Sequence, residues 1–168
     1  MAEKLSLRDY QRDLAERLRA AEGSQNVSML ALQVGEQGWL VDLGDAGEVI
    51  PVPAITPVPL TRSWFKGVTN IRGNLYSVVD FPAFLGGTPV VVNEQSRLLL
   101  IGERFRMGSA LLVDRSLGLR NPAQLTPRPK SSPAAWIKAE YADQDGRIWK
   151  ELDVPQLVRQ QEFLGVAQ

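Results

Sequence analysis

The stretch Trp64-Phe65-Lys66-Gly67-Val68-Thr69-Asn70-Ile71-Arg72-Gly73-Asn74-Leu75-Tyr76-Ser77-Val78-Val79-Asp80 sets β-forming residues on both sides of a Gly-Asn pair, the pattern of a β-hairpin. With Gly73 and Asn74 as the turn, Arg72 is expected to pair with Leu75, Asn70 with Ser77 and Val68 with Val79 on one face. Thr69, Ile71, Tyr76 and Val78 then take the other. Each face mixes apolar and polar positions, as when one lines a barrel and the other is partly covered by a neighbour or partner. No catalytic signature accompanies the hairpin, so the chain reads as a binding module.

On the N-terminal side the period of apolar residues changes twice. Ser6 to Ala21 is expected to be a helix, with Ser6 as cap, Asp9 three positions later, and Leu7, Tyr10, Leu14 and Leu18 at helical spacing. That narrow stripe either packs on its own domain or docks to a partner. Val27–Val34 and Gly38–Leu43 are expected strands joined by Gly35-Glu36-Gln37. From Pro51 to Pro59, four prolines in nine residues forbid a helix or a central strand, and the interleaved Val and Ile suggest an extended segment across a core.

Beyond the hairpin, Phe81–Leu85 reads as a helical turn closed by Gly86-Gly87, and Arg97–Ile101 and Ser109–Asp114 as strands. Asn121–Pro133, with four prolines, reads as a loop. Ile137–Ala142 and Arg147–Leu152 flank Asp143-Gln144-Asp145-Gly146, a strong hairpin signal, and Val154–Phe163 reads as a closing helix. Many short strands between Gly and Pro turns indicate small barrels rather than a parallel sheet.

Composition narrows the chemistry. In 168 residues, 19 basic and 19 acidic side chains cancel, which removes the usual electrostatic basis for non-specific nucleic-acid or membrane affinity. There is no Cys, hence no disulfide and no thiolate metal site. There is no His either, which closes off triad hydrolases, most zinc enzymes and phosphohistidine relays. The N-terminal residues lack a signal-peptide pattern and no run of about 18 apolar residues occurs, so a cytoplasmic protein is expected.

Individual motifs give bland readings. Leu43-Gly44-Asp45-Ala46-Gly47-Glu48 puts two acids where a phosphate would sit, and lacks the Lys-Ser or Lys-Thr of a phosphate loop. Asp42, Asp45 and Glu48 lack a calcium-loop pattern and read as a solvated turn. Ser63 and Lys66 show no nucleophile-elbow context, and nothing selects a carboxylate pair for acid–base work. No enzyme, metal or cofactor is expected. A small barrel that binds RNA is the alternative class, but neutral charge and only 12 aromatic residues weigh against it.

The residues Phe65-Lys66-Gly67-Val68-Thr69-Asn70-Ile71-Arg72-Gly73 and Val78-Val79-Asp80 resemble the central strand pair of the CheW family of chemotaxis adaptors. Asp42 and Glu48 fall at that family's spacing before Lys66, and Ala110-Leu111-Leu112-Val113-Asp114 resembles its second Val-Asp strand. The resemblance spans roughly 28–158. It implies a mainly β fold of two packed five-stranded SH3-like barrels, with an N-terminal helical extension (1–26), a CheW-like domain (27–160) and a C-terminal tail (161–168). It also implies a non-catalytic adaptor whose partners are the regulatory domain of a CheA-type histidine kinase and the cytoplasmic tip of a methyl-accepting chemoreceptor, at membrane-associated arrays. Phe84-Leu85-Gly86 and the ending Phe163-Leu164-Gly165-Val166-Ala167 resemble the branch serving type IV pili and twitching motility, with flagellar chemotaxis as the alternative. By motif, Glu48 and Arg72 are expected to form a surface ion pair beside the receptor groove, with Gly67, Asn70 and Gly73 shaping the strand and turn around it. Ser77 stands where many members have Pro, Arg115 where many have Gly, and Ala46 where a larger aliphatic residue is common.

Overall fold

The computed structural model describes residues 11–16 and 28–167. Residues 11–16 are helical (α1) with every side chain exposed; the rest of the helix expected over 6–21 lies outside the described residues. From Met29 onward the chain is mainly β. The strands are β1 (Met29–Val34), β2 (Gln37–Asp42), β3 (Ala46–Pro51), β4 (Phe65–Ile71), β5 (Asn74–Asp80), β6 (Arg97–Ile101), β7 (Ser109–Val113), β8 (Arg115–Arg120), β9 (Thr126–Arg128), β10 (Ile137–Ala142) and β11 (Ile148–Leu152). Single-turn helices α2 (Phe81–Phe84), α3 (Val154–Leu157) and α4 (Gln161–Leu164) accompany them. No helix among the described residues is long and apolar enough to cross a membrane.

The strands make two sheets, in the orders β8-β1-β2-β11-β10-β9 and β3-β6-β7-β5-β4. The chain lays down β1 and β2, builds the whole second sheet, then returns to finish the first. The return sets β11 parallel to β2, and the second sheet contains a parallel pair of its own, β5 with β7. The first sheet has six strands where five were expected; the segment 121–133, read as a loop, contributes β9 along the outer edge of β10.

Alternation of side chains explains how one chain supplies three packed regions. In β1, Leu30, Leu32 and Val34 point to a core shared by both sheets, while Met29 and Ala31 point into the first sheet's own interior with Leu40 and Trp149. In β6 and β7, Leu99, Ile101, Leu111 and Val113 face the shared core, and Leu98, Leu100, Ala110 and Leu112 face the second sheet's interior. Strands buried on both faces have no polar face to show, so they read as unbroken apolar runs.

Asp80 joins strand to helix. It is fully buried, and its Oδ1 accepts the Ala83 N–H at 3.0 Å as the N-cap of α2, with Pro82 in the first turn. Its Oδ2 accepts the Val90 N–H at 2.9 Å and lies 3.6 Å from Lys66 Nζ, so the buried carboxylate is compensated on both oxygens. The closing helix expected over 154–163 is two helices. Asp153 caps α3, and α4 carries Phe163 into the shared core. The segment after α4 returns to the body of the protein, where Ala167 bridges Thr61 and Val166 O accepts the Arg62 N–H at 2.8 Å.

Candidate functional site

The β4–β5 hairpin turns one residue earlier than the Gly-Asn pair suggested. Ile71 and Asn74 are partners, so Arg72 and Gly73 are the two turn residues, with φ of 52° and 86°. Two positive φ values define a type I′ turn, whose twist matches antiparallel strands. The cause is Asn70, whose Oδ1 accepts the Gly73 N–H at 2.9 Å and fixes the turn at that point. Asn70 thus partners Leu75 and Val68 partners Ser77. Because the register differs from expectation by two residues, the faces are unchanged: Thr69, Ile71 and Val78 are buried, whereas Asn70 and Leu75 are exposed.

The turn projects Arg72 toward Glu48 on β3. Arg72 Nη2 and Glu48 Oε1 are 2.5 Å apart, at the protein surface. The hydrogen bond that Arg72 donates to the Glu48 carboxylate, together with that carboxylate's charge, raises the guanidinium pKa above its ordinary value. β3 and β4 are opposite ends of the second sheet, so this ion pair spans the gap between its edges. The gap is also crossed by backbone, since Thr56 and Val68 exchange N–H···O bonds of 2.8 and 2.9 Å. Gly67 permits that crossing. Its φ is +133°, and a Cβ there would lie 2.0 Å from the Thr56 carbonyl oxygen.

Between pair and sheet lies a groove of about 210 Å³, lined among others by Gly47, Glu48, Ile71, Arg72, Tyr76 and Glu103. Its floor is apolar and its rim is charged. It can hold one apolar side chain of a partner while the rim offers a guanidinium and two carboxylates for hydrogen bonding.

Of the residues singled out from sequence, Glu48 and Arg72 meet at the rim, and Asn70 and Gly73 hold the turn that presents Arg72. Gly67 does not reach the groove; it lies under Thr56 and serves closure of the sheet. Glu103 and Gly47 line the groove without having been identified. Their placement depends on Gly102, whose N–H donates to Asp45 O at 2.9 Å and brings the end of β6 beside β3, a long-range contact with no local pattern. Nearby, Arg104 pairs with Asp45. Arg115, where a turn residue was the norm, opens β8, and its Nε donates to Gln33 Oε1 at 2.7 Å. The Ser77 N–H donates to Gly108 O at 2.8 Å, a bond that proline at this position cannot form.

Comparison with known proteins agrees with this architecture. The CheW-like domain family matches residues 28–162. Protein PilI of Pseudomonas aeruginosa is 32% identical over 100 residues, covering 60% of this chain and 56% of PilI. Chemotaxis protein CheW of Thermotoga maritima is 32% identical over 100 residues, covering 59% of this chain and 64% of that protein. Protein FrzA of Myxococcus xanthus is 29% identical over 122 residues, 71% of this chain and 76% of FrzA. The match thus spans a little over half to three quarters of these relatives' lengths. Among solved structures, the scaffolding protein TtCheW of Thermoanaerobacter tengcongensis superimposes with a TM-score of 0.62 over 75% of this chain and 88% of its own, at 20% identity. That likeness shows the fold, in which the two sheets are two SH3-like barrels. With the match running from the start of β1 into α4 and both barrels in place, the chain belongs to the CheW-like domain family.

Proposed function

We propose that this protein is a non-catalytic adaptor that couples a methyl-accepting chemoreceptor to a CheA-type histidine kinase within a chemosensory array at the membrane, in a system that governs type IV pilus twitching. The observation that carries this reading is the family match across 28–162. The hairpin-tip groove supports a receptor-facing role for Glu48 and Arg72, with Asn70 and Gly73 presenting Arg72 and Gly67 holding the sheet closed behind it. A chain without histidine cannot itself carry a phosphohistidine, which suits a coupling role. Similarity to PilI supports the twitching assignment, and equal identity to the Thermotoga CheW supports flagellar chemotaxis as the second reading.

Calorimetric titration with the regulatory domain of the CheA-type kinase from the same genome tests the adaptor reading. Saturable one-to-one binding is expected. No heat at high micromolar concentration, with both proteins folded, removes it. Deleting the gene separates the two pathways: loss of twitching with swimming intact supports the first, and the reverse supports the second.

A further inference from the structure

We propose that β9 is a displaceable strap, and that the β10 edge beneath it is a second docking site, for an extended peptide that places an arginine opposite Glu140. This site is on the first sheet and does not depend on the adaptor reading.

The argument begins with Glu140, which is 1% exposed on β10. Its Oε1 receives two bonds from one residue, the Ser131 N–H at 3.1 Å and the Ser131 hydroxyl at 2.8 Å. Its Oε2 is buried and receives no hydrogen bond within the chain. The nearest cation on the strap, Arg128 Nε, stops 3.9 Å away. Lys150, opposite Glu140 on β11, and Arg128 act on the carboxylate through their charge, but neither donates to Oε2, and a donor that reaches it gains a charge-assisted bond. The contrast is Glu151 on the neighbouring strand, where Oε2 accepts the Tyr141 hydroxyl at 3.0 Å and Oε1 faces Lys138 at 3.7 Å.

The strap is weakly held. β9 is three residues long, every one of them exposed, and its middle residue Pro127 has no amide hydrogen to give. Beyond it, the loop is fastened to β10 by the two Ser131 bonds and by Lys130 Nζ to Ile137 O at 3.4 Å. A strand of this kind covers an edge that could otherwise pair with another chain. When it lifts, β10 offers a free ladder whose Glu140 carboxylate, left without Arg128, selects a cation. A five- or six-residue extended peptide adds as a strand there, and its guanidinium can approach both oxygens.

The absence of cysteine makes a reversible test possible. Thr126 and Ala142 are directly opposed across β9 and β10, a separation a disulfide can bridge. In the full chain carrying Thr126→Cys and Ala142→Cys, oxidation ties the strap down and reduction frees it. The probe is a fluorescent peptide Val-Thr-Arg-Val-Thr-Val, with a Gln-for-Arg peptide as control, read by anisotropy. Saturable binding by the reduced protein, lost on oxidation and weakened roughly tenfold or more by Gln, is expected. Glu140→Gln should erase the preference between the two peptides. Equal binding in both redox states, or none in the reduced state, overturns the proposal. Concentration-dependent dimerisation of the reduced protein without peptide uptake also overturns it, because the edge then pairs with a second copy.

Discussion

Arg72 and Gly67 lie five residues apart and have opposite consequences for the molecule. Arg72 sits in solvent at a turn whose backbone Asn70 and Gly73 already hold, so Arg72→Asn, which tolerates positive φ, is expected to leave the melting temperature unchanged. The same variant is expected to lose receptor binding in a co-sedimentation assay while keeping kinase binding; loss of both together would show the turn to be structural. Gly67→Ala instead forces a Cβ onto the Thr56 carbonyl at a φ that side chains rarely adopt. It should cost about 3–5 kcal/mol in urea unfolding, combining backbone strain with overpacking. The pairing of Glu48 with Arg72 was open to inference only through a family motif. Nothing in local spacing brings β3 to the far edge of its own sheet, and the turn itself was misplaced because the Asn70 side-chain bond outweighed the Gly-Asn signal.

At the scale of elements, the strands that were legible are the ones buried on both faces or closed by a standard turn. β6 and β10 have the expected bounds, because Leu98–Ile101 is an unbroken apolar run and Asp143 fastens the turn after Ala142. Asp143 Oδ1 accepts the N–H groups of Asp145 and Arg147, each at 2.9 Å. The strands that were missed are edges. β3 contains Gly47 and ends at Pro51, β9 is Thr-Pro-Arg, and β8 carries Gly118 at φ +81° where its pairing with β1 is bulged. Each is a strand because a neighbour offers a ladder, not because its own residues favour one. Phe81 shows what such elements rest on. It is buried at the first position of α2 and meets Trp39 edge to face at 5.1 Å, joining β2 of one sheet to the helix that follows β5 of the other. Phe81→Ala should cost about 3–5 kcal/mol and lower both sheets' stability in one cooperative transition, seen as coincident fluorescence and far-UV dichroism curves.

For the whole molecule, two carboxylates held below their ordinary pKa couple stability to acid. Burial pushes the Glu140 pKa up, but the Ser131 hydroxyl and amide, with Lys150 and Arg128, outweigh it and hold the group below its ordinary value. At Asp143 the bond from Trp149 Nε1 is the largest effect and likewise holds the carboxyl low, against burial. A depressed folded-state pKa stabilises above the unfolded value and is lost as pH falls through the folded one. Stability should therefore be flat through neutral pH and decline in acid, from the ordinary carboxylate range downward. Asp143→Asn should flatten part of that decline, measured as melting temperature against pH. The order in which the chain visits its sheets has a further consequence for synthesis. β3 to β7 form a complete sheet once Val113 has left the ribosome, whereas β1 and β2, made first, must wait for β8 and β11 to flank them. These two strands thus wait with bare edges on the nascent chain until β8 and β11 follow, and Leu30, Leu32 and Val34 are apolar side chains whose final packing in the shared core waits with them.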